Sequence, residues 1–260
     1  MTTMLIITIV KSSLALSLGL VGALSIIRFR AAIKEPEELI LLEHAVYIAD
    51  TAMEQVSEQI RPGMKEKDIA WLMEMTMREL GADSISFDTI VAAGSNGARP
   101  HHRAGDYVVQ LGDAIVIDMG AKFEGYCSDM TRTFVVGEAS DRFRLIYDTV
   151  LQAQLHAMEL VRSGMTGSEI DGFARKVIDD AGFGETFGHS LGHGIGLQVH
   201  EFPRVGPNST GVIEDGMVFS IEPGIYITGW GGVRIEDLIV MENGHARNLN
   251  NAHKEHLINL

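Results

Sequence analysis

The pattern of apolar and polar residues divides the chain near residue 35. Residues 4–27 contain one charged residue, Lys11, whereas the sequence from Pro36 onward has the mixed pattern of a globular protein. We therefore expect an apolar N-terminal segment at residues 1–34 and a globular domain at residues 35–260.

Glycine and proline divide the globular part into predicted helices and strands. Pro36 suits a first helical position because proline lacks the N–H that is unpaired there. The predicted helices lie at about 36–60, 65–80 and 140–161, with a fourth that ends near 180. The predicted strands lie at about 86–93, 115–120, 126–134, 217–227 and 232–241.

Two helical passages repeat each other at an offset of 101 residues. Residues 61–81 and 162–182 match at six positions, and each copy follows a long helix and precedes strand-like sequence. This predicts a duplicated helix–helix–strand unit, with two halves related by a pseudo-twofold axis and a shared site between them.

Composition narrows the class of protein. The chain has 260 residues, of which 46% are hydrophobic and 22% are charged, as in an ordinary globular protein. Its formal net charge of −14 disfavours a nucleic-acid partner. Cys127 is the single cysteine, which excludes an internal disulfide framework and fits a reducing compartment.

The apolar segment predicts a membrane anchor. About 24 helical residues would cross a hydrocarbon core of ~30 Å, so residues 4–27 are long enough. Arg28, Arg30 and Lys34 follow, which favours a cytoplasmic position for the domain. A buried helix is the alternative. Residues 1–38 also resemble a fragment of an uncharacterised bacterial membrane protein family, so a mis-fused N-terminus is a second alternative.

Two aspartates stand out in the predicted hairpin of residues 115–134. A turn near Lys122–Gly125 would place Asp118 and Asp129 opposite or nearly opposite each other on one face. Apolar neighbours suggest that this face is buried, and two close, buried carboxylates need a cation between them or a shared proton. The alternative is a pair of solvated turn residues.

Further candidates lie in the second half. His189 and His193 occur in residues 187–203, where three glycines disfavour a helix, so we expect an extended segment that approaches a site closely. Glu222 and Glu236 occupy strand positions that would otherwise bury Val or Ile. A histidine here also has an ordinary structural interpretation, with its hydrogen bonds satisfied inside the core.

Five candidates form a set of four carboxylates and one imidazole: Asp118, Asp129, His193, Glu222 and Glu236. Such a set suits two divalent first-row ions better than one tetrahedral zinc, which favours more nitrogen and sulfur. Two ions can share a water, lower its pKa and promote hydrolysis of an amide. His101 and His200 are candidates to stabilise the oxyanion or to orient the leaving group.

The motifs resemble a known family. The order D-x10-D, H-S-L-G-H-G-I-G-L-Q-V-H-E, S-I-E-P-G-I-Y-I and G-V-R-I-E-D is similar to that of the pita-bread metallopeptidases, over residues 35–260. The resemblance implies an α+β pita-bread fold, in which duplicated halves surround a curved antiparallel sheet. V-R-I-E-D resembles the branch of aminopeptidase P and prolidase, which implies an exopeptidase that cleaves next to proline.

The resemblance also implies the ligand roles. Asp118 would chelate one ion, and Asp129 and Glu236 would bridge both ions. His193 and Glu222 would complete the other ion, with Glu222 also shuttling protons to and from the shared hydroxide. Manganese is the implied metal, with cobalt, zinc or iron as alternatives.

The remaining roles concern the substrate. His101 and His200 would be catalytic histidines on the substrate side, while His189 and Arg234 would bind substrate. The branch implies a peptide substrate and a homodimer. Two other functions stay open: a non-peptidase hydrolase of the same fold that acts on a small amide-like compound, and a catalytically silent binding module.

Overall fold

The computed structural model describes residues 36–254, and the four predicted helices are confirmed there. They are α1 (Pro36–Ser57), α2 (Glu66–Glu79), α3 (Asp141–Leu160) and α4 (Gly167–Asp180). Each begins and ends within a few residues of the boundary predicted from glycine and proline positions.

Thirteen strands lie within the described residues, and all their pairings are antiparallel. They are β1 (Ser84–Ile85), β2 (Ile90–Ala93), β3 (Ala114–Met119), β4 (Ala121–Phe123), β5 (Tyr126–Cys127), β6 (Met130–Val135), β7 (Gly192–Gly194), β8 (Glu201–Val205), β9 (Val218–Ile221), β10 (Gly224–Ile227), β11 (Gly231–Arg234), β12 (Asp237–Glu242) and β13 (His245–Asn248). The sheet orders are β2-β3-β6, β1-β4-β5, β10-β11 and β13-β12-β9-β7-β8.

The predicted aspartate hairpin is confirmed, with its turn at Glu124-Gly125. Both turn residues have positive φ, 47° and 89°, as in the tight turns that suit hairpins. Asp118 pairs with Thr131, so Asp129 lies two residues away from that pair and on the same face. At Gly120 a Cβ would meet the Ser128 carbonyl oxygen at 2.0 Å, so only glycine fits between the strands there.

The predicted strands at 217–227 and 232–241 were wrong in one respect, because each is broken in the middle. Pro223 has no N–H for a ladder and stands at the first break, between β9 and β10. The second break separates β11 from β12. Glu222 and Glu236 lie in these breaks, where the chain leaves one sheet for another. The predicted strand at 86–93 is likewise shorter and covers only β2.

Matched backbone hydrogen bonds support the duplication. Gly63 N donates to Val109 O at 2.9 Å, and Gly164 N donates to Ile213 O at 2.8 Å. The two glycines share φ values of 96° and 95°, a region that other residues rarely adopt. Apolar residues of α1, α2 and the hairpin form one core, and those of α3, α4 and the later strands form another.

The predicted anchor at residues 4–27 and the domain boundary at 34/35 lie outside the described residues, so both stay predictions. Across residues 36–254, none of the helices combines the length and apolar character needed to cross a membrane.

Candidate metal centre

One cavity of about 850 Å³ collects every site residue that the sequence predicts. Its walls come from both halves of the domain. The predicted residues in its lining are His101, Asp118, Asp129, His189, His193, His200, Glu222, Arg234 and Glu236. The cavity therefore lies between the halves, where the duplication predicts a shared site.

Glycines let the strand that carries His193 come close to its neighbours. A Cβ at Gly192 would meet the Ser220 carbonyl oxygen at 1.8 Å, and one at Gly194 would meet the Phe202 carbonyl oxygen at 2.2 Å. The expectation of an extended, glycine-eased segment is confirmed, since β7 packs tightly between β8 and β9.

Carboxylate and imidazole atoms converge on one point. His193 Nε2 lies 3.6 Å from Asp129 Oδ2 and 3.4 Å from Glu222 Oε1. One ligand atom each from Asp129, His193 and Glu236 lies within 4.8 Å of the others. The other ring nitrogen of His193, Nδ1, is 3.1 Å from the Gly194 carbonyl oxygen, which fixes the ring with Nε2 towards the carboxylates.

Among the fully buried oxygens of the site, two carboxylate oxygens have no hydrogen-bond donor in the described part of the chain. They are Asp118 Oδ1 and Glu236 Oε1. A buried acceptor without a partner costs about 1–3 kcal/mol, and more when it is charged. Divalent cations favour such oxygens as ligands, so the residues present fit a metal site.

The pKa shifts of the site residues also favour a metal site. Burial raises the pKa of Glu222 to about 8, and burial together with neighbouring carboxylates raises the pKa values of Asp129 and Glu236 well above their ordinary range. Burial also lowers the pKa of His193 to about 4. Without cations to compensate them, the carboxyl groups of the cluster therefore keep their protons to a higher pH than usual. His193 stays in the neutral form that binds metals.

Arg234 connects the acidic cluster to the cavity wall. Its Nη2 lies 2.5 Å from Asp118 Oδ2, its Nε donates to Thr131 Oγ1 at 3.0 Å, and its Nη1 donates to the Tyr226 hydroxyl at 2.9 Å. The side chain is buried among these protein groups. Sequence reasoning missed Thr131 and Tyr226, whose only signal was their place inside the motifs.

His189 continues this network on the other side of Tyr226. Its Nε2 lies 2.9 Å from the Tyr226 hydroxyl, and its Nδ1 lies 2.8 Å from the Ser190 carbonyl oxygen. Burial, followed by the charge of Arg234, lowers the pKa of His189 to about 4. His189 is therefore a neutral partner in a chain of hydrogen bonds that ends at Asp118.

The two substrate-side histidines differ in their surroundings. The His200 ring is 4.3 Å from the His193 ring, between centroids, and is exposed. His101 is also exposed, but its neighbour His102 is largely buried, with Nε2 2.8 Å from Glu66 Oε2. Sequence reasoning missed this pair, for which the His-His doublet was the only signal.

Glu66 anchors the whole loop that carries these histidines. The side chain is fully buried in the first turn of α2. It accepts three more hydrogen bonds, from Ala93 N at 2.8 Å, Asn96 Nδ2 at 2.8 Å and Gly105 N at 3.2 Å. One carboxylate therefore fixes both ends of the segment between β2 and residue 105.

Comparisons with known proteins agree with this architecture. A sequence model of metallopeptidase family M24 matches residues 41–243 of this chain. A curated relative, the Xaa-Pro dipeptidase of Pyrococcus furiosus, is 44% identical over 223 residues, which cover 86% of this chain and 64% of the relative.

Solved structures give the same result. An Xaa-Pro dipeptidase from Bacillus anthracis is 45% identical with a TM-score of 0.88, and the match covers 90% of this chain and 66% of that one. An X-Pro aminopeptidase from Thermotoga maritima is 42% identical with a TM-score of 0.87, covering 90% and 65%. The chain thus spans less than two thirds of the length of these relatives.

These neighbours confirm the predicted pita-bread fold and the resemblance to the aminopeptidase P and prolidase branch. Proteins of this family depend on two metal ions, and the convergent ligand atoms of Asp129, His193 and Glu236 offer a site for metal. The chain belongs to metallopeptidase family M24.

Proposed function

We propose that this chain is the catalytic domain of a metal-dependent exopeptidase that hydrolyses peptide bonds next to proline. The observation that carries the proposal is the convergence of Asp129, His193 and Glu236 within 4.8 Å in a cavity that both halves line. The names of the relatives, Xaa-Pro dipeptidase and X-Pro aminopeptidase, support the choice of substrate bond.

Five residues would hold two divalent cations, with manganese as the proposed ion and cobalt, zinc or iron as alternatives. They are Asp118, Asp129, His193, Glu222 and Glu236. The unpaired oxygens of Asp118 and Glu236 support this assignment. Such ions, when bound, polarise a carbonyl and make water a stronger nucleophile at neutral pH.

Glu222 would move the proton of the reaction. Its Oε1 accepts a hydrogen bond from the Ser220 hydroxyl at 3.2 Å and lies 3.4 Å from His193 Nε2. From this position the carboxylate would take a proton from the attacking water and return it to the departing nitrogen.

The cavity histidines and Arg234 would act on the peptide. His101 and His200 line the cavity from opposite halves and are exposed to it, so they would donate hydrogen bonds to the developing oxyanion or orient the leaving group. His189 and Arg234, joined through Tyr226, would shape the wall that binds the peptide. The proposed location of the catalytic domain is the cytoplasm, with residues 4–27 as a proposed membrane anchor, and the proposed assembly is a homodimer.

Metal dependence and one ligand substitution test the proposal. We expect a chelator to abolish cleavage of an Xaa-Pro dipeptide and Mn²⁺ to restore it. Asp129→Ala should lower kcat/KM by at least about 100-fold, since ligand loss removes the cation that activates water. The matched control is Asp180→Ala, whose side chain is 65% exposed on α4. Unchanged cleavage by Asp129→Ala would contradict the proposal.

A further inference from the structure

The rear face of β6 carries a buried arginine. Arg132 is 1% exposed and pairs with Ile117, so its side chain points away from the cavity face that Thr131 occupies. Its strand partner Ile117 belongs to the apolar core of the first half. A buried guanidinium is costly unless several acceptors compensate it, so its partners indicate what it does.

Its hydrogen-bond partners named here, all within residues 36–254, belong to three separate segments. Arg132 Nη1 donates to the carbonyl oxygens of Thr131 at 2.9 Å and Glu236 at 2.6 Å. Nη2 donates to Asp237 Oδ1 at 2.8 Å and to the Ala252 carbonyl oxygen at 2.9 Å. One side chain thus joins β6, the break before β12 and the C-terminal segment.

Asp237 lies between two cations. It is fully buried, with Arg132 on Oδ1 and the ammonium group of Lys254 on Oδ2. Lys254 is 4% exposed, and its carbonyl oxygen accepts a hydrogen bond from the Tyr147 hydroxyl at 3.0 Å. We call Arg132, Asp237 and Lys254 the charge triad. It ties Ala252 and Lys254 to the sheet.

The charge triad reaches the cavity through Glu236. The Glu236 carbonyl binds Arg132, its backbone N donates to Thr131 O at 3.1 Å, and its Oε2 accepts from Thr131 Oγ1 at 2.7 Å. These contacts hold both the backbone and one carboxylate oxygen of Glu236. The other oxygen, Oε1, is the buried one with no donor in residues 36–254.

We propose that the charge triad is a positioning device for the metal centre, in which Lys254 holds Asp237 and Arg132 so that Glu236 Oε1 meets a cation. The inference rests on the proposed metal-binding role of Glu236. Arg132, Asp237 and Lys254 are positioning residues, because they act on the ligand from the rear of the sheet and do not line the cavity.

The test measures Mn²⁺ binding to the chelator-stripped full chain by calorimetry, together with thermal unfolding in the absence of metal. We expect Lys254→Met to bind Mn²⁺ at least about 10-fold more weakly at a temperature where it is folded, since residues that orient ligands typically change metal affinity 10- to 100-fold. Lys254→Arg, which keeps the cation, should recover most of the affinity. Lys176→Met, at a lysine whose side chain is 73% exposed and also pairs with an aspartate, should bind as the wild type does.

Affinity equal to the wild type in Lys254→Met, even with a lower melting temperature, would overturn the inference and leave the triad a purely structural role. If Lys254→Met does not fold, Lys254→Gln is compared with Lys254→Arg. Weaker binding by the Gln variant supports the inference, and equal affinities overturn it. Absence of Mn²⁺ binding by the wild type would instead overturn the proposed function, and the triad's role with it.

Discussion

In the first half, an acid of helix α2 binds the loop that carries His101 directly, whereas in the second half an acid of helix α4 binds the loop that carries His189 largely through an arginine of the same helix. Glu66 accepts all four of its hydrogen bonds directly from the loop and its ends. Asp171 accepts one from Leu191 N at 3.0 Å and otherwise binds Arg175. Arg175 then donates to the carbonyl oxygens of Phe187 and His189.

The two acids do not occupy equivalent positions. At the offset of 101 residues, Glu66 aligns with Gly167 and Asp171 aligns with Ala70. A Cβ at Gly167 would meet the Arg204 carbonyl oxygen at 2.2 Å, so the second half has no room for a side chain there. The repeat does not pair the two loops either, because His101 aligns with Phe202 and His189 aligns with Asp88. Each half therefore supports its own histidine loop, at an unmatched position and through an acid of its own.

The largest expected loss of stability comes from removing the Glu66 carboxylate, which binds the loop of the first half. Glu66→Ala would leave the Ala93 and Gly105 amides without an acceptor, so we expect the free energy of unfolding to fall by about 3 kcal/mol. Urea unfolding measures this. Glu79→Ala, at an exposed position of the same helix, should change it by less than about 0.5 kcal/mol.

Glu66→Gln sharpens the same prediction, because it keeps an acceptor oxygen for the loop. We expect a smaller loss of stability than in Glu66→Ala. If Glu66→Ala lost no more stability than Glu79→Ala, the prediction would be contradicted. The stability of the loop would then not depend on the Glu66 carboxylate.

A pH series tests the second half. The folded-state pKa of His189 is about 4 against an ordinary 6.5, so between these values the unfolded chain binds a proton that the folded chain does not. Stability should therefore fall as pH drops from about 6.5 to about 4. In His189→Gln, the unfolding free energy lost over this pH range should be smaller by about 2 kcal/mol, after allowance for the partial exposure of His189.

The measurement is the unfolding free energy in urea at several pH values, with the exposed His156→Gln as control. The control should keep the full pH dependence. An identical pH profile for wild type and His189→Gln would mean that the second-half network does not hold His189 neutral.

The smallest effect concerns the starts of the matched helices. Thr166 caps α4 in a reciprocal arrangement with Glu169, whereas Lys65, at the corresponding start of α2, makes no side-chain cap. Thr166→Ala should cost about 1 kcal/mol, and Lys65→Thr should add up to about 1 kcal/mol, because only the second start has a cap to lose. Thermal melting measures the two variants, and we expect a lower melting temperature for Thr166→Ala and a higher one for Lys65→Thr. Shifts of the same sign would contradict this difference between the halves.

Local patterns predicted much of the fold and of the site. Glycine and proline positions predicted the four helices, and turn residues predicted the hairpin that carries Asp118 and Asp129. The motifs gave all nine residues that meet in the cavity. These features depend on neighbours in sequence or on residue order, both of which are visible in one chain.

The supports of the site were not predictable in this way. Arg132 and Asp237 are 105 positions apart, and Glu66 and His102 are 36 apart, so only the folded chain brings them together. Pro223 was a visible local signal for the strand break at Glu222, whereas the break at Glu236 had no such signal. Apolar alternation continues through both, and the change of sheet follows from pairing with distant strands.

The central claim is that both halves contribute ligands to one pair of cations, and crystals grown with Mn²⁺ test it most directly by anomalous diffraction. We expect two manganese peaks in the cavity, bound by Asp118 and Asp129 from the first half and by His193, Glu222 and Glu236 from the second. Crystals without manganese in the cavity, or with an ion bound by one half alone, would contradict the claim.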